Sequence, residues 1–252
     1  MGYHLAMRAH LSAADIHLHT DRSDGLASPR AVLDWVCAKT DLAVIAITDH
    51  NTVDGAHEAA ALAAQEGYPV DVIIGQEVDS SQGHIIGLWA PERVEPGASA
   101  ADTVAAIHAQ GGIAVAAHPF APRFWAKHGL YRGERAVYDS VGFDAFEISN
   151  STPLMLNGNW RARLYLLENH HRFAATGGSD AHILPAIGAS RTLFPGQTAS
   201  DLRRAIVERT TRVGGGSFWL ARNLRYAQHL PLIIDRERRA EAELEEAARR
   251  SG

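Results

Sequence analysis

The sequence predicts an α/β protein built on a parallel sheet or barrel, and three observations predict it. Short runs of Val, Ile, Leu and Ala recur at 42–47, 70–75, 113–117 and 173–176, the composition of strands buried on both faces. Ala-rich or amphipathic stretches of helical length separate them, and strands alternating with helices are the pattern of a parallel sheet. Most of the runs stop at a His, Asp or Glu, and barrel enzymes carry their chemistry at the carboxyl ends of their strands. A length of 252 residues suits one domain of barrel size or two small ones.

The first strand signal is Asp15-Ile16-His17-Leu18-His19. Ile16 and Leu18 alternate with polar residues, so His17 and His19 point to one face. Two imidazoles placed that way can bind a single metal ion. A polar turn from Thr20 to Gly25 carries Asp24 back over the strand end. Ser28-Pro29 reads as an N-cap with Pro at the first helical position, opening a helix to about Lys39. The run 42–47 leads into Thr48-Asp49-His50, and a helix over 54–65 is closed by Gly67.

The run 70–75 leads into Gln76-Glu77-Val78-Asp79, whereas His84 precedes its own run, Ile85-Ile86-Gly87-Leu88. A helix over 99–110 ends at Gly111-Gly112, and the run 113–117 leads into His118-Pro119. Segment 119–140 mixes aromatics, prolines and cations. It reads either as a lid or substrate wall, or as a structural loop whose aromatics fill a local core. A strand over 143–148 leads to Asn150, placed either to orient substrate or to cap the next segment. A helix over 161–171 feeds the strand at 173–176, which runs into Gly178-Ser179-Asp180-Ala181-His182. Further helices are expected over 200–209 and 218–229, with Pro231 as a stop, and a charged, solvated helix over 235–250. Gly214-Gly215-Gly216 reads as a connector, with an anion-binding helix start as the lesser alternative.

The set Asp15-x-His17-x-His19-Thr20 with Ser23-Asp24-Gly25, Thr48-Asp49-His50, Gly75-x-Glu77, His84, Ala117-His118-Pro119 and Gly178-Ser179-Asp180-Ala181-His182 resembles the PHP family, named for its polymerase and histidinol phosphatase members. The resemblance spans positions 15 to 182 in the family's order. It implies a distorted seven-stranded (β/α) barrel holding a cluster of two or three metal ions, with phosphoester hydrolysis as the common activity. It also implies a ligand set. His17, His19, Glu77 and Asp180 would hold one ion, and Asp24, His50 and His182 a second. Glu77 would bridge to a third bound by His84 and His118. Asp24 stands where many members have histidine. The expected organisation is an N-terminal extension over 1–12, the metallohydrolase barrel over 13–216 and a C-terminal helical extension over 217–252 packed on it.

All candidate ligands are imidazole or carboxylate, with no thiolate, which leaves Zn²⁺, Mn²⁺ and Fe²⁺ open. Asp15 and Asp49 precede ligating histidines and read as carboxylates that support them. Arg191, Arg22 and Asn150 are the candidate catalytic residues around the ions, because a guanidinium matches phosphate in bidentate fashion. The expected chemistry is metal-assisted hydrolysis of a small phosphate monoester, nucleotide or cyclic nucleotide. Two alternatives stand beside it: hydrolysis of carboxylic or carbamic esters or amides at the same centre, and a non-catalytic, metal-stabilised binding module.

Whole-chain properties set limits. A formal charge of −5 speaks against binding nucleic-acid backbone, while leaving a small anionic substrate open because metal ions supply local positive charge. The single cysteine, Cys37, rules out an intrachain disulfide. The sequence carries no long apolar span, so no membrane partner is expected and a cytoplasmic location is. It is silent on oligomeric state.

Overall fold

Why His84 comes before its apolar run while the other polar signals follow theirs is explained by strand direction. A computed structural model of the chain describes residues 11–121, 135–215 and 220–251. Nine strands form one mixed sheet: β1 (Leu11–Asp15), β2 (Leu42–Ile47), β3 (Asp71–Ser80), β4 (Gly83–Leu88), β5 (Ile113–Ala116), β6 (Ala145–Asn150), β7 (Ala174–Gly178), β8 (Ser190–Pro195) and β9 (Arg212–Gly215). Their order is β7-β6-β5-β4-β3-β2-β1-β8-β9. The pairs β1–β2, β2–β3, β5–β6 and β6–β7 are parallel. β4 is antiparallel to both neighbours, so its first residues lie at the mouth where the parallel strands end.

The sheet curls until its two ends nearly meet, and hydroxyl groups stitch the seam between β7 and β8–β9. Thr192 Oγ1 accepts from the Gly177 N–H at 3.0 Å and donates to its carbonyl at 2.9 Å. Thr211 Oγ1 donates to the Ala175 carbonyl at 2.7 Å. The α/β barrel is therefore present. β1 to β7 are the seven expected strands, and β8 and β9 extend the sheet antiparallel from β1. The strand composition alone, which suggested parallel pairing throughout, does not reveal these reversals.

Strand alternation divides the core. Val44 and Ala46 of β2 point into the barrel, where they join Ile86, Val115 and Phe194. Ile45 and Ile47 point outward against the helices. Those helices are α1 (Pro29–Lys39), α2 (Asp54–Glu66), α3 (Ala100–Ala109), α4 (Arg135–Ser140), α5 (Leu156–Asn169), α6 (Ala199–Val207) and α7 (Leu220–Ser251). Ser28 caps α1 by accepting from the Ala31 N–H, and Gly67 closes α2 in the left-handed conformation (φ 71°). α6 opens with a reciprocal capping box between Thr198 and Asp201 and buries Leu202, Ala205 and Ile206 against the barrel interior.

Four expectations need correction. β1 ends at Asp15 rather than beginning there, so His17 and His19 occupy the extended segment just beyond it, held by a parallel bridge between Leu18 and Ala181. α5 begins at Leu156, five residues ahead of the expected 161. Pro231 does not stop a helix, because α7 runs through it. Proline removes one helical N–H, but Tyr226 and Ile233 are buried in the same outer core on either side of it and hold the direction. A single C-terminal helix thus replaces the two expected. Lastly, Gly214 and Gly215 are not a connector but part of β9. Gly216, Ser217 and the residues 122–134 at the centre of the segment read as a lid or loop lie outside the described residues. The described flanks of that segment, Phe120 and Tyr138, pack into an aromatic core with Phe143, Phe146, Tyr165 and Phe173. No described helix is long and apolar enough to cross a membrane.

Candidate metal centre

Six strand ends deliver the predicted ligands to one mouth. His17 and His19 follow β1, His50 follows β2, Glu77 lies within β3, His84 opens β4, His118 follows β5, and Asp180 and His182 follow β7. The 20–24 turn adds Asp24. All nine are within the cluster. Asp180 (φ 55°) and His118 (φ 26°) hold positive φ, a conformation that non-glycine residues keep mainly where surroundings enforce it, often at functional sites. Gly178 makes the approach of β7 to the His17 segment possible. A Cβ there would collide with His17 Cβ and stand 2.7 Å from Glu147 Oε1.

Glu77 is the hub. Its Oε1 lies 2.9 Å from His84 Nδ1 and 2.9 Å from His118 Nε2. Its Oε2 lies 3.1 Å from His17 Nε2, 3.3 Å from His19 Nε2 and 3.5 Å from His50 Nε2. Asp180 Oδ1 lies 3.2 Å from His19 Nε2 and 3.5 Å from His17 Nε2. Asp24 Oδ2 lies 2.9 Å from His182 Nε2. Three groups of donor atoms, each within 4.8 Å of one another, result: His17, His19, Glu77 and Asp180; His19, Asp24, His50 and His182; and His50, Glu77 and His84. The first matches the expected set, the second gains His19, and the third contains His50 in place of His118.

The donors fit metal ions. His19 is buried with carboxylate oxygens of Asp180, Glu77 and Asp24 at 3.2 to 3.6 Å from its ring nitrogens, none of them in a well-aligned hydrogen bond, an arrangement that an ion between donors would satisfy better. Burial alone would raise the buried carboxyls and lower the imidazoles, but the facing charges overrule it. Glu77 and Asp180 are held well below the usual carboxylate range. His17, His50 and His118 are held above the ordinary imidazole value. For His182, burial is outweighed chiefly by Asp24, leaving it at about 9.

A supporting shell fixes these groups. Glu147 Oε1 lies 3.1 Å from His17 Nδ1, and its Oε2 accepts from the His118 N–H at 2.7 Å. Asp79 Oδ1 lies 3.3 Å from His50 Nδ1 and 3.2 Å from His84 Nε2, while burial is outweighed by those histidines and leaves its carboxyl at about 2. Tyr226 of α7 places its hydroxyl 3.0 Å from His182 Nδ1. Asp49 accepts from the Thr20 N–H, the Thr20 hydroxyl and the Ser23 hydroxyl, fixing the turn that carries Asp24. Asp15 accepts from the Ser179 and Gly188 N–H groups, and burial pushes it up to about 6 against those bonds. Sequence reasoning missed Glu147, Asp79 and Tyr226. A carboxylate inside the apolar run Ala145-Phe146-Glu147-Ile148 was the available signal for the first, and the same-face spacing from Glu77 for the second.

Two of the three candidate catalytic residues fall elsewhere. Arg191 lies on the outward face of β8, opposite Thr192, and its guanidinium pairs with Asp41 at 2.5 Å. Arg22 turns away from its metal turn to bind Glu58 of α2. Neither reaches the cluster. Asn150 does, but from behind: its Nδ2 donates to Asp180 Oδ2 and Glu147 Oε2, both at 3.1 Å. It is a positioning residue for ligands.

The cluster forms one side of a cavity of about 360 Å³. Comparison with known proteins follows the same lines. A family described as PHP-associated matches residues 158–211. The uncharacterized protein MJ1587 of Methanocaldococcus jannaschii is 39% identical over 120 residues, covering 43% of this chain and 68% of that protein. A 3',5'-nucleoside bisphosphate phosphatase of Chromobacterium violaceum is 42% identical over 78 residues, 29% of this chain and 26% of that enzyme. A crystal structure from Bacteroides vulgatus, of a two-domain protein containing a predicted PHP-like metal-dependent phosphoesterase, superposes with a TM-score of 0.66 at 17% identity, covering 90% of this chain and 70% of that one.

Proposed function

We propose that the chain, whose residues 158–211 match a family described as PHP-associated, is a metal-dependent hydrolase of phosphoester bonds, acting on a small phosphate monoester with two or three divalent ions. The observation that carries this reading is the overlap of three donor groups, which share His19, His50 and Glu77, in one strand-end mouth. His17, His19, Glu77 and Asp180 would hold one ion, and Asp24, His50 and His182 a second. Glu77 Oε1 with His84 and His118 would hold a third. An all-nitrogen and oxygen donor set suits Zn²⁺, Mn²⁺ or Fe²⁺. When bound, such ions lower the pKa of water toward neutrality and neutralise charge on phosphoryl oxygens.

The chain's own residues set the geometry. Glu147 orients the His17 ring, and Asn150 with the Thr152 hydroxyl holds Asp180 Oδ2, leaving Oδ1 directed at His17 and His19. Asp79 orients His50 and His84 from the rim. The named activity of the Chromobacterium relative supports a phosphoester substrate, and a cavity of about 360 Å³ suits a small molecule.

The test is phosphate release from p-nitrophenyl phosphate by the full chain with Mn²⁺, abolished by chelator and restored by added metal, alongside elemental analysis. Turnover of p-nitrophenyl acetate alone would move the reading to carbonyl substrates. Bound metal without either activity would leave a binding module.

A further inference from the structure

The cavity has a second side that the chemistry above does not use. Beside the ligands, the same cavity is lined by Leu154, Met155, Leu230, Ile233 and Ile234, contributed by the segment ahead of α5 and by α7. We infer that the site takes a phosphate monoester of an uncharged, apolar alcohol, with its phosphoryl end on the ligand floor and its hydrocarbon end on this wall. The inference rests on the phosphoesterase reading and names its substrate class.

Three observations converge. The wall draws on two elements far apart in sequence, and aliphatic residues of both line one cavity together with the polar floor, the composition of a pocket that binds an amphiphilic small molecule. Leu154 is the second. It is 62% exposed and holds a φ of 72°, a backbone that glycine or asparagine would adopt at less cost. A leucine strained there does little for the core, so its side chain is explained by what it offers the cavity rim. Third, Glu237 lies one turn beyond Ile233 on α7 and lines the same cavity. Its carboxylate adds negative charge at the cavity's edge, which favours a substrate whose far end is not a second anion.

The experiment is a chain-length series of n-alkyl phosphates, methyl to hexyl, with the Mn²⁺-loaded full chain. Adenosine 3',5'-bisphosphate, glycerol phosphate and a single-stranded oligonucleotide serve as competitors. The expected result is kcat/KM rising by up to about fourfold per methylene, with pentyl phosphate above all three competitors. Leu154→Asn, which suits the left-handed backbone, and Ile234→Ser should each reduce the pentyl-to-methyl ratio by about fivefold or more, with the melting temperature of Leu154→Asn no lower than that of the parent. A flat series overturns the inference. So does a bisphosphate or oligonucleotide turned over better than pentyl phosphate, or a loss in the variants that is equal for methyl and pentyl phosphate. If no ester at all releases phosphate, the phosphoesterase reading fails, and calorimetry with methyl- and pentylphosphonate then decides the wall separately. Tighter binding of the longer phosphonate supports it, and equal binding overturns it.

Discussion

The ligand floor and the apolar wall line a single cavity but are built by opposite means. Floor residues sit mainly at strand ends, most are buried, and several are held from behind by another group: Glu147 for His17, Asn150 for Asp180, Tyr226 for His182. Wall residues come from a helix and a loop, and the most exposed of them, Leu154, is held by backbone rather than by packing. The difference separates two jobs. Ligand geometry tolerates only small errors and is fixed mainly by the sheet, with Tyr226 of α7 behind His182, whereas an apolar surface needs only to be present and tolerates exchange of one aliphatic side chain for another.

Floor substitutions should therefore have the largest effects. His19→Ala removes the ring shared by two donor groups, and phosphate release should fall further than the roughly 10–100-fold typical of losing a supporting residue. Elemental analysis should show the metal content dropping with it. Undiminished metal content and turnover would remove His19 from the centre. Glu147→Gln keeps the shape but weakens the acceptor facing His17 Nδ1, and the expected cost is about 10–100-fold in metal affinity or activity, read by competition with a metal-sensitive dye. An affinity equal to the parent's would mean that the His17 ring is fixed without its help.

A pH titration probes the floor, because His182 is held above the ordinary imidazole range. In metal-stripped protein burial would lower His182, but Asp24 raises it from 6.5 to about 9. A folded-state pKa above the unfolded one contributes stability that is fully present below about 6.5 and is lost as pH rises through about 9. Metal binding demands the neutral imidazole, so Mn²⁺ affinity should rise over the same window with release of protons. The melting temperature of chelator-treated chain between pH 6.5 and 9.5 should fall while metal affinity climbs. A metal affinity that does not change across that window would contradict the assignment of His182.

How much of this was legible follows from the same contrast. Floor ligands could be read because each sits beside a strand run, where local sequence marks the strand end. His84 looked inverted only because β4 runs backwards, and pairing direction is a long-range property that local composition does not carry. Glu147 escaped because a carboxylate in mid-strand reads as an interruption until His17, 130 residues earlier, comes beside it. Tyr226 and the wall were beyond reach for a further reason. The sequence around Pro231 reads as a helix end, whereas Tyr226 and Ile233, on either side of it, are buried in the outer core along one continuous α7.

The smallest expected effect belongs to Arg191, and it bears on whether proximity in sequence implies proximity in the site. Arg191 is the second residue of β8, shortly after the last ligand motif, and β8 runs antiparallel to β1, so its backbone lies near the mouth. Alternation along the strand then decides the outcome: Ser190 and Thr192 face inward, and Arg191 faces out to Asp41. That ion pair, with Asp41 79% exposed, belongs to the class worth about 0–1 kcal/mol. Arg191→Ala should leave kcat and KM for p-nitrophenyl phosphate unchanged and shift denaturant stability by no more than about 1 kcal/mol. A clear rise in KM would place the guanidinium at the phosphate after all and demand a different rotamer of Arg191 in the substrate complex.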